Sequence, residues 1–132
     1  MSKTKRTQVS SGTKWEAMAG YARAVRVGNT IHVSGTTATD ENGNVVGADA
    51  AAQTRYAIQK IERAINALGG TLRDVVRTRV FVSDIANWEQ AARMHGEFFG
   101  DIRPANTLVQ AKLVGAEYLV EIEAEAIVSD ES

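Results

Sequence analysis

In VEIEAEAI, residues 120–127, glutamates fall at every second position. Glu121, Glu123 and Glu125 therefore leave one face of a strand, while Val120, Ile122, Ala124 and Ala126 leave the other. A carboxylate in a partly buried cleft can take a proton from water or orient its lone pair, and Glu121 is the candidate for that work. An exposed acidic stripe explains the same row without chemistry, and from this strand alone it is the favoured explanation. DVVRTRVFVSD alternates in the same way, with Val76, Thr78, Val80 and Val82 on one side and Arg77, Arg79 and Phe81 on the other. The two segments describe a sheet with one apolar face and one face that mixes both signs of charge with an aromatic ring. Such a face is either solvated or a charge-paired surface that meets other subunits around a symmetry axis. Sequence weighs these about evenly.

Other side chains offer single functions. Tyr21, Ser34 and Thr36 can each donate one hydroxyl hydrogen bond to a ligand, although hydroxyls near a hairpin more often serve turns and caps. His95 lies between Met94 and Gly96 in a helical segment, where packing or exposure is commoner than ligand or acid–base duty. Trp15 and Trp88 read as core or interface anchors. Gly69 and Gly70 close a helix instead of opening one, which removes the phosphate-cradle reading.

The elements that position these residues follow from spacing. AVRVGNTIHVS, residues 24–34, reads as a β-hairpin turning at Gly28-Asn29. Residues 36–48 concentrate Asp, Asn and Gly and read as a loop. Asp49 is a suitable N-cap for a helix whose Ile58, Ile61, Ile65 and Leu68 form one apolar stripe, ended by Gly69-Gly70. A second helix runs roughly from Ala86 to Phe99, with Trp88, Ala91, Ala92, His95 and Phe98 or Phe99 available for its inner side. Pro104 opens a strand over about 106–113, and the last strand covers about 118–128, with Gly115 between them. The order is ββαβαββ or at most ββαββαββ, an α+β two-layer domain with two helices on one face of a mixed sheet.

Bulk properties narrow the function. A chain of 132 residues makes one domain, 1–132, with residues 1–13 and the closing SDES expected as loose polar tails. A formal net charge of -1 with interspersed signs gives no footprint for nucleic acid. With no cysteine and two histidines, His32 and His95, neither a thiolate nucleophile nor a zinc site is expected, and no cofactor is implied. No apolar run has the length of a secretory core or a membrane span, so no membrane partner and a cytoplasmic location are expected.

YARAVRVGNTIHVSG, DVVRTRVFVSDI, RPANTLVQAKL and VEIEAEAI, in this order, resemble the Rid (reactive intermediate deaminase) family, also called the YjgF or RidA family. The likeness runs from Tyr21 to Val128, and the Pro-Ala block followed by Glu-Ile-Glu is its most specific part. It implies a chorismate-mutase-like fold assembled as a homotrimer, with sheets inside, helices outside and a small-molecule cleft at each subunit boundary. That implication resolves the charged face in favour of assembly. Glu121 matches the glutamate that orients the attacking water in imine-hydrolysing members, and Tyr21, Ser34 and Gly35 match other pocket positions.

One match fails. In the family members that hydrolyse imines, an arginine immediately after Pro-Ala grips the substrate carboxylate, and here that position is Asn106. A guanidinium gives a carboxylate two parallel charge-assisted bonds, whereas asparagine gives one neutral amide donor on a shorter stem. A hydrogen bond to a charged group is worth about 1.5 to 3 kcal/mol, so 2-imino acids are expected to bind roughly tenfold to a few hundredfold more weakly. Glu121 is then left without that cation, which biases the cleft against anions and toward neutral or cationic ligands. Arg79 and Arg23 rank above Arg103 as replacements, and structural pairing with the acidic row ranks above all three. In the later helix the family often has Asn and Tyr where this chain has Ala92 and His95. With Trp15, Glu16 and WEQAARMHGEFFGDIRPAN, these departures indicate a subgroup with a rebuilt cleft. The expectation is an imine or enamine hydrolase of altered substrate, or alternatively a trimeric small-molecule binding protein without turnover.

Overall fold

The computed structural model describes residues 5–129. Six strands form one mixed sheet: β1 (Arg6–Val9), β2 (Ala24–Val27), β3 (Thr30–Thr37), β4 (Val75–Val82), β5 (Ala105–Gln110) and β6 (Val120–Ile127). Their spatial order is β1-β2-β3-β6-β4-β5, antiparallel throughout except for the parallel β4–β5 pair. Helices α1 (Lys14–Ala19), α2 (Ala50–Ala67) and α3 (Trp88–Phe99) complete the chain's α-helical content among the described residues. The expected α+β architecture is present, with α2 laid across β3 and β6 and packed beside α3.

Asp49 caps α2 by accepting the Ala52 amide at 2.8 Å, and Ile58, Ile61 and Ile65 are fully or almost fully buried beneath it. They meet Ile31, Val33, Val80, Val82, Val120, Ile122, Ala124 and Ala126 from the sheet. The alternation in β6 is therefore realised: its even-numbered residues form core, and Glu121, Glu123 and Glu125 lie half-exposed on the outer face.

Three expectations change. The segment expected as a loose tail over 1–13 forms β1 at Arg6–Val9, whose register with β2 pairs Arg6 with Val27 and Val9 with Ala24. Residues 1–4 and 130–132 lie outside the described residues. Val76 is exposed instead of sharing the inner face of β4, because the β4–β6 register slips between Val75 and Arg77 and places Val75 in the core. Trp88 is half-exposed at the start of α3, while Ala91, Met94 and Phe99 supply that helix's buried face. No helix among the described residues is long and apolar enough to cross a membrane.

Candidate functional site

The site is built where β3 departs from regular pairing. Val33 lies opposite Ala124 and Thr36 opposite Ile122, so β3 carries one more residue than β6 across this interval. The extra residue makes a bulge at Ser34-Gly35, a device that re-aims side chains at strand ends. Ser34 secures it by donating from Oγ to the Ala22 carbonyl at 2.7 Å, and Thr36 Oγ1 donates to the Ser34 carbonyl at 2.7 Å. Gly35 is bare for a reason: a Cβ added there would overlap Glu121 Oε2 and touch the carboxyl carbon at 3.1 Å. The Glu121 carboxylate thus lies over the glycine backbone.

Glu121 lines a cavity of about 230 Å³ together with Tyr21, Gly35 and Thr37. Trp15, Tyr118 and Val114 supply its aromatic and apolar wall, and Arg23 and Lys60 its cations. Trp15 meets Tyr118 edge-on at 6.0 Å between ring centroids. Burial pushes the Glu121 carboxyl above its ordinary range, opposed by the Arg23 charge and assisted by Glu123.

Arg23 is 5% exposed. Its Nη1 donates to the Gly35 carbonyl at 3.0 Å and to Thr36 Oγ1 at 3.2 Å, and its guanidinium sits 5.7 Å from the Tyr21 ring centre. Nε is buried without a hydrogen-bond partner and stands 3.9 Å from Glu16 Oε2. Lys60, 7% exposed, reaches up from α2 and donates to the carbonyls of Thr39 at 2.8 Å and Thr37 at 3.3 Å. Burial first, then the charges of Arg23 and Arg63, lower its ammonium to about 8.

Glu16 completes the framework. It accepts the hydroxyls of Ser10, Ser11 and Thr13, tying the segment after β1 to α1. Burial raises this carboxyl, but the hydrogen bonds from Ser11, Ser10 and Thr13 outweigh it and hold the pKa below the ordinary value. A carboxyl depressed in the folded state lends stability above its unfolded pKa and loses it as pH falls through the folded one. Glu16→Ala is therefore expected to cost about 1–3 kcal/mol in chemical denaturation at neutral pH. The loss should shrink in acid. An equal deficit at every pH contradicts this account of the clamp.

The sequence-derived candidates separate into groups. Tyr21, Arg23, Gly35 and Glu121 share the cavity, and Ser34 and Thr36 shape the bulge beneath it. Asn106 lies apart from them within the chain: its Nδ2 donates to Thr78 Oγ1 at 2.9 Å, which in turn lies 2.9 Å from His95 Nε2. Burial lowers the His95 pKa, and its ring leans on Phe99 at 4.6 Å. Arg79 faces the outer side of the sheet and pairs with Glu123 at 2.9 Å. Of the replacement cations ranked from the sequence, Arg23 is the one beside Glu121, its Nη1 held on the Gly35 carbonyl at the β3 bulge. Lys60 is the residue that sequence reasoning missed. Its signal was a charge inside the apolar stripe of α2, between Ile58 and Ile61.

The family model described as Endoribonuclease L-PSP matches residues 11–128, nearly all of the described chain. The chain belongs to the Rid/YjgF family. Among Rid/YjgF relatives, the 3-aminoacrylate deaminase RutC of Acinetobacter baylyi is 38% identical over 106 residues, covering 80% of this chain and 84% of the relative. The crystal structure of Rv2704 from Mycobacterium tuberculosis, a member of the YjgF/YER057c/UK114 family, is 46% identical with a TM-score of 0.86 over 94% of this chain and all of that one. The YjgF structure from E. coli matches with a TM-score of 0.78 at 29% identity, covering 96% of this chain and 98% of its own. These Rid/YjgF matches extend over nearly the whole of the mixed sheet and packed helices described above.

Proposed function

We propose that this chain is an imine or enamine hydrolase of altered substrate, with Glu121 positioning the attacking water. The observation that carries this is the Glu121 carboxylate held over Gly35 in a cavity walled by aromatic side chains. Water adds to the carbon of C=N while Glu121 takes its proton. With the imine nitrogen protonated this gives a neutral carbinolamine. Glu121 returns its proton to that nitrogen, the C–N bond breaks as C=O forms, and the hydroxyl proton leaves with the ammonia as ammonium. A carbonyl compound and free carboxylate remain. Likeness to a 3-aminoacrylate deaminase supports deamination as the reaction class. Tyr21 is assigned to ligand orientation, and Ser34 and Thr36 to holding the bulge.

Three copies are proposed to assemble through the outer sheet face. Arg79, Glu123, Arg77 and Glu125 are intermediate in exposure there, and Val109 on β5 is 42% exposed. Light scattering on the purified chain tests this, with a monomer as the contradicting mass.

Position 106 lacks the guanidinium of carboxylate-gripping relatives, so 2-iminopropionate and 2-iminobutyrate should be hydrolysed weakly or not at all. A coupled ammonia assay reads this directly. Turnover at the rate of an arginine-bearing relative refutes the substrate argument. The alternative is a trimeric binding protein without turnover, favoured by the engagement of the Asn106 amide with Thr78. A ligand that raises the melting temperature and is recovered unchanged selects that alternative.

The family description names a nuclease. In this chain His32 stands near Glu125 on the outer face and His95 bonds Thr78, so the two imidazoles form no acid–base pair. Together with the net charge of -1, this disfavours RNA as substrate.

A further inference from the structure

We propose that Arg23 and Lys60 form an anion subsite in the Glu121 cavity, taking the carboxylate of a ligand whose apolar or aromatic body packs on Trp15, Tyr118 and Val114. The inference rests on reading this cavity as the reaction site.

Both cations are nearly buried and line the cavity. Neither is discharged by a hydrogen-bonded acid. Lys60 donates to two backbone carbonyls, which position an ammonium without neutralising it, and makes no ion pair within 4 Å among the described residues. Arg23 is anchored in the same way by the Gly35 carbonyl and Thr36. The carboxylate nearest Arg23 belongs to Glu16, whose oxygens are already occupied by three hydroxyls, and Arg23 Nε has no hydrogen-bond partner. Burying charge without a hydrogen-bonded counterion is costly unless a ligand supplies one. Two fixed cations lining one cavity therefore favour a small oxyanion. The lysine's depression to about 8 follows from its burial and from the charges of Arg23 and Arg63, partly offset by Glu16 and Asp40.

The cavity's other wall sets the ligand's size. A two- or three-carbon acid seated at Arg23 and Lys60 leaves Trp15, Tyr118 and Val114 uncovered, whereas an arylalkyl carboxylate buries them. Both cations also border a second cavity with Tyr56, Arg63, Asp40 and Glu41, which holds two carboxylates against the single Glu121 of the first and offers no tryptophan as a stacking face. The Glu121 side is therefore the better home for an acid with an apolar body. A 2-imino acid carrying a large side chain satisfies both this subsite and the proposed hydrolysis.

Calorimetric titration of the full chain with phenylacetate, phenylacetamide and acetate at pH 7 tests the subsite. Phenylacetate is expected to bind at least about tenfold tighter than the amide, which lacks charge, and than acetate, which lacks the ring. Lys60→Met and Arg23→Gln should each remove about tenfold from phenylacetate affinity and leave the amide unchanged, while Lys60→Arg retains most of it. Equal affinity of wild type for acid and amide overturns the proposal, as does absence of phenylacetate binding up to about 10 mM. The wild-type comparison decides even where a variant fails to fold. Because binding is read without turnover, a chain that prefers the acid yet hydrolyses no imine refutes the hydrolase reading alone, and one that hydrolyses imines without this preference refutes the subsite alone.

Discussion

Glu121→Gln is expected to reduce imine hydrolysis by about 10²–10⁴-fold, the usual contribution of a positioned general base. The amide keeps the shape and one acceptor but cannot take a proton from water. Folding should survive the change, because the outer face of β6 carries no core packing at this position. Stability should in fact rise. Burial raises the folded-state pKa of Glu121, so the folded chain binds the proton more tightly than the unfolded chain. Its contribution is present at low pH and is lost as pH climbs through the raised folded value, leaving an ionised, half-buried carboxylate as a cost at neutrality. Removing that charge should lift the melting temperature at pH 7 by about 1–3 °C. The same shift fixes the acid limb of the wild-type rate profile, which should rise with pH through a value above that of an ordinary glutamate. A variant of wild-type activity removes Glu121 from the chemistry, and a lower melting temperature removes the burial argument.

Gly35→Ala isolates position from charge. The added methyl competes with Glu121 Oε2 for one place, and the oxygen is the far end of a flexible side chain while Gly35 is fixed in the bulge. The carboxylate must therefore give way. A displacement of about 1 Å in a catalytic group costs on the order of 10²-fold, so kcat should fall by that order. Denaturation should show a loss below about 1.5 kcal/mol, since strain is relieved by rotating Glu121 instead of moving backbone. Undiminished kcat in Gly35→Ala means that the close approach of Glu121 to the bulge has no catalytic meaning.

These expectations depend on features that the sequence revealed unevenly. The β2–β3 hairpin, α2 and β6 were legible because periodicity, turn chemistry and an Asp N-cap all agree there. Strand β1 was not, since RTQV is a polar edge segment that becomes a strand only by pairing with β2. Val76 was misplaced because strict alternation has no room for a bulge, and β4 carries one residue more than β6 between Val75 and Arg77. Within the site, Glu121, Tyr21 and Gly35 were accessible through family resemblance, and the structure brings them together. Lys60 was not, because a lysine in a helix is ordinarily solvated, and its burial follows from the Thr37 and Thr39 carbonyls folding back over α2. Arg23 was considered as a substitute cation, but its place beside Glu121 depends on the bulge that no local pattern announces.

The most direct measurement is ammonia release by the purified chain from imines generated in place, comparing small 2-imino acids, arylalkyl 2-imino acids and imines without a carboxylate. The account predicts hydrolysis above the buffer rate for at least one of these classes, weakest for the small acids and abolished by Glu121→Gln. Buffer-rate decay of every imine, with wild type and Glu121→Gln alike, contradicts it.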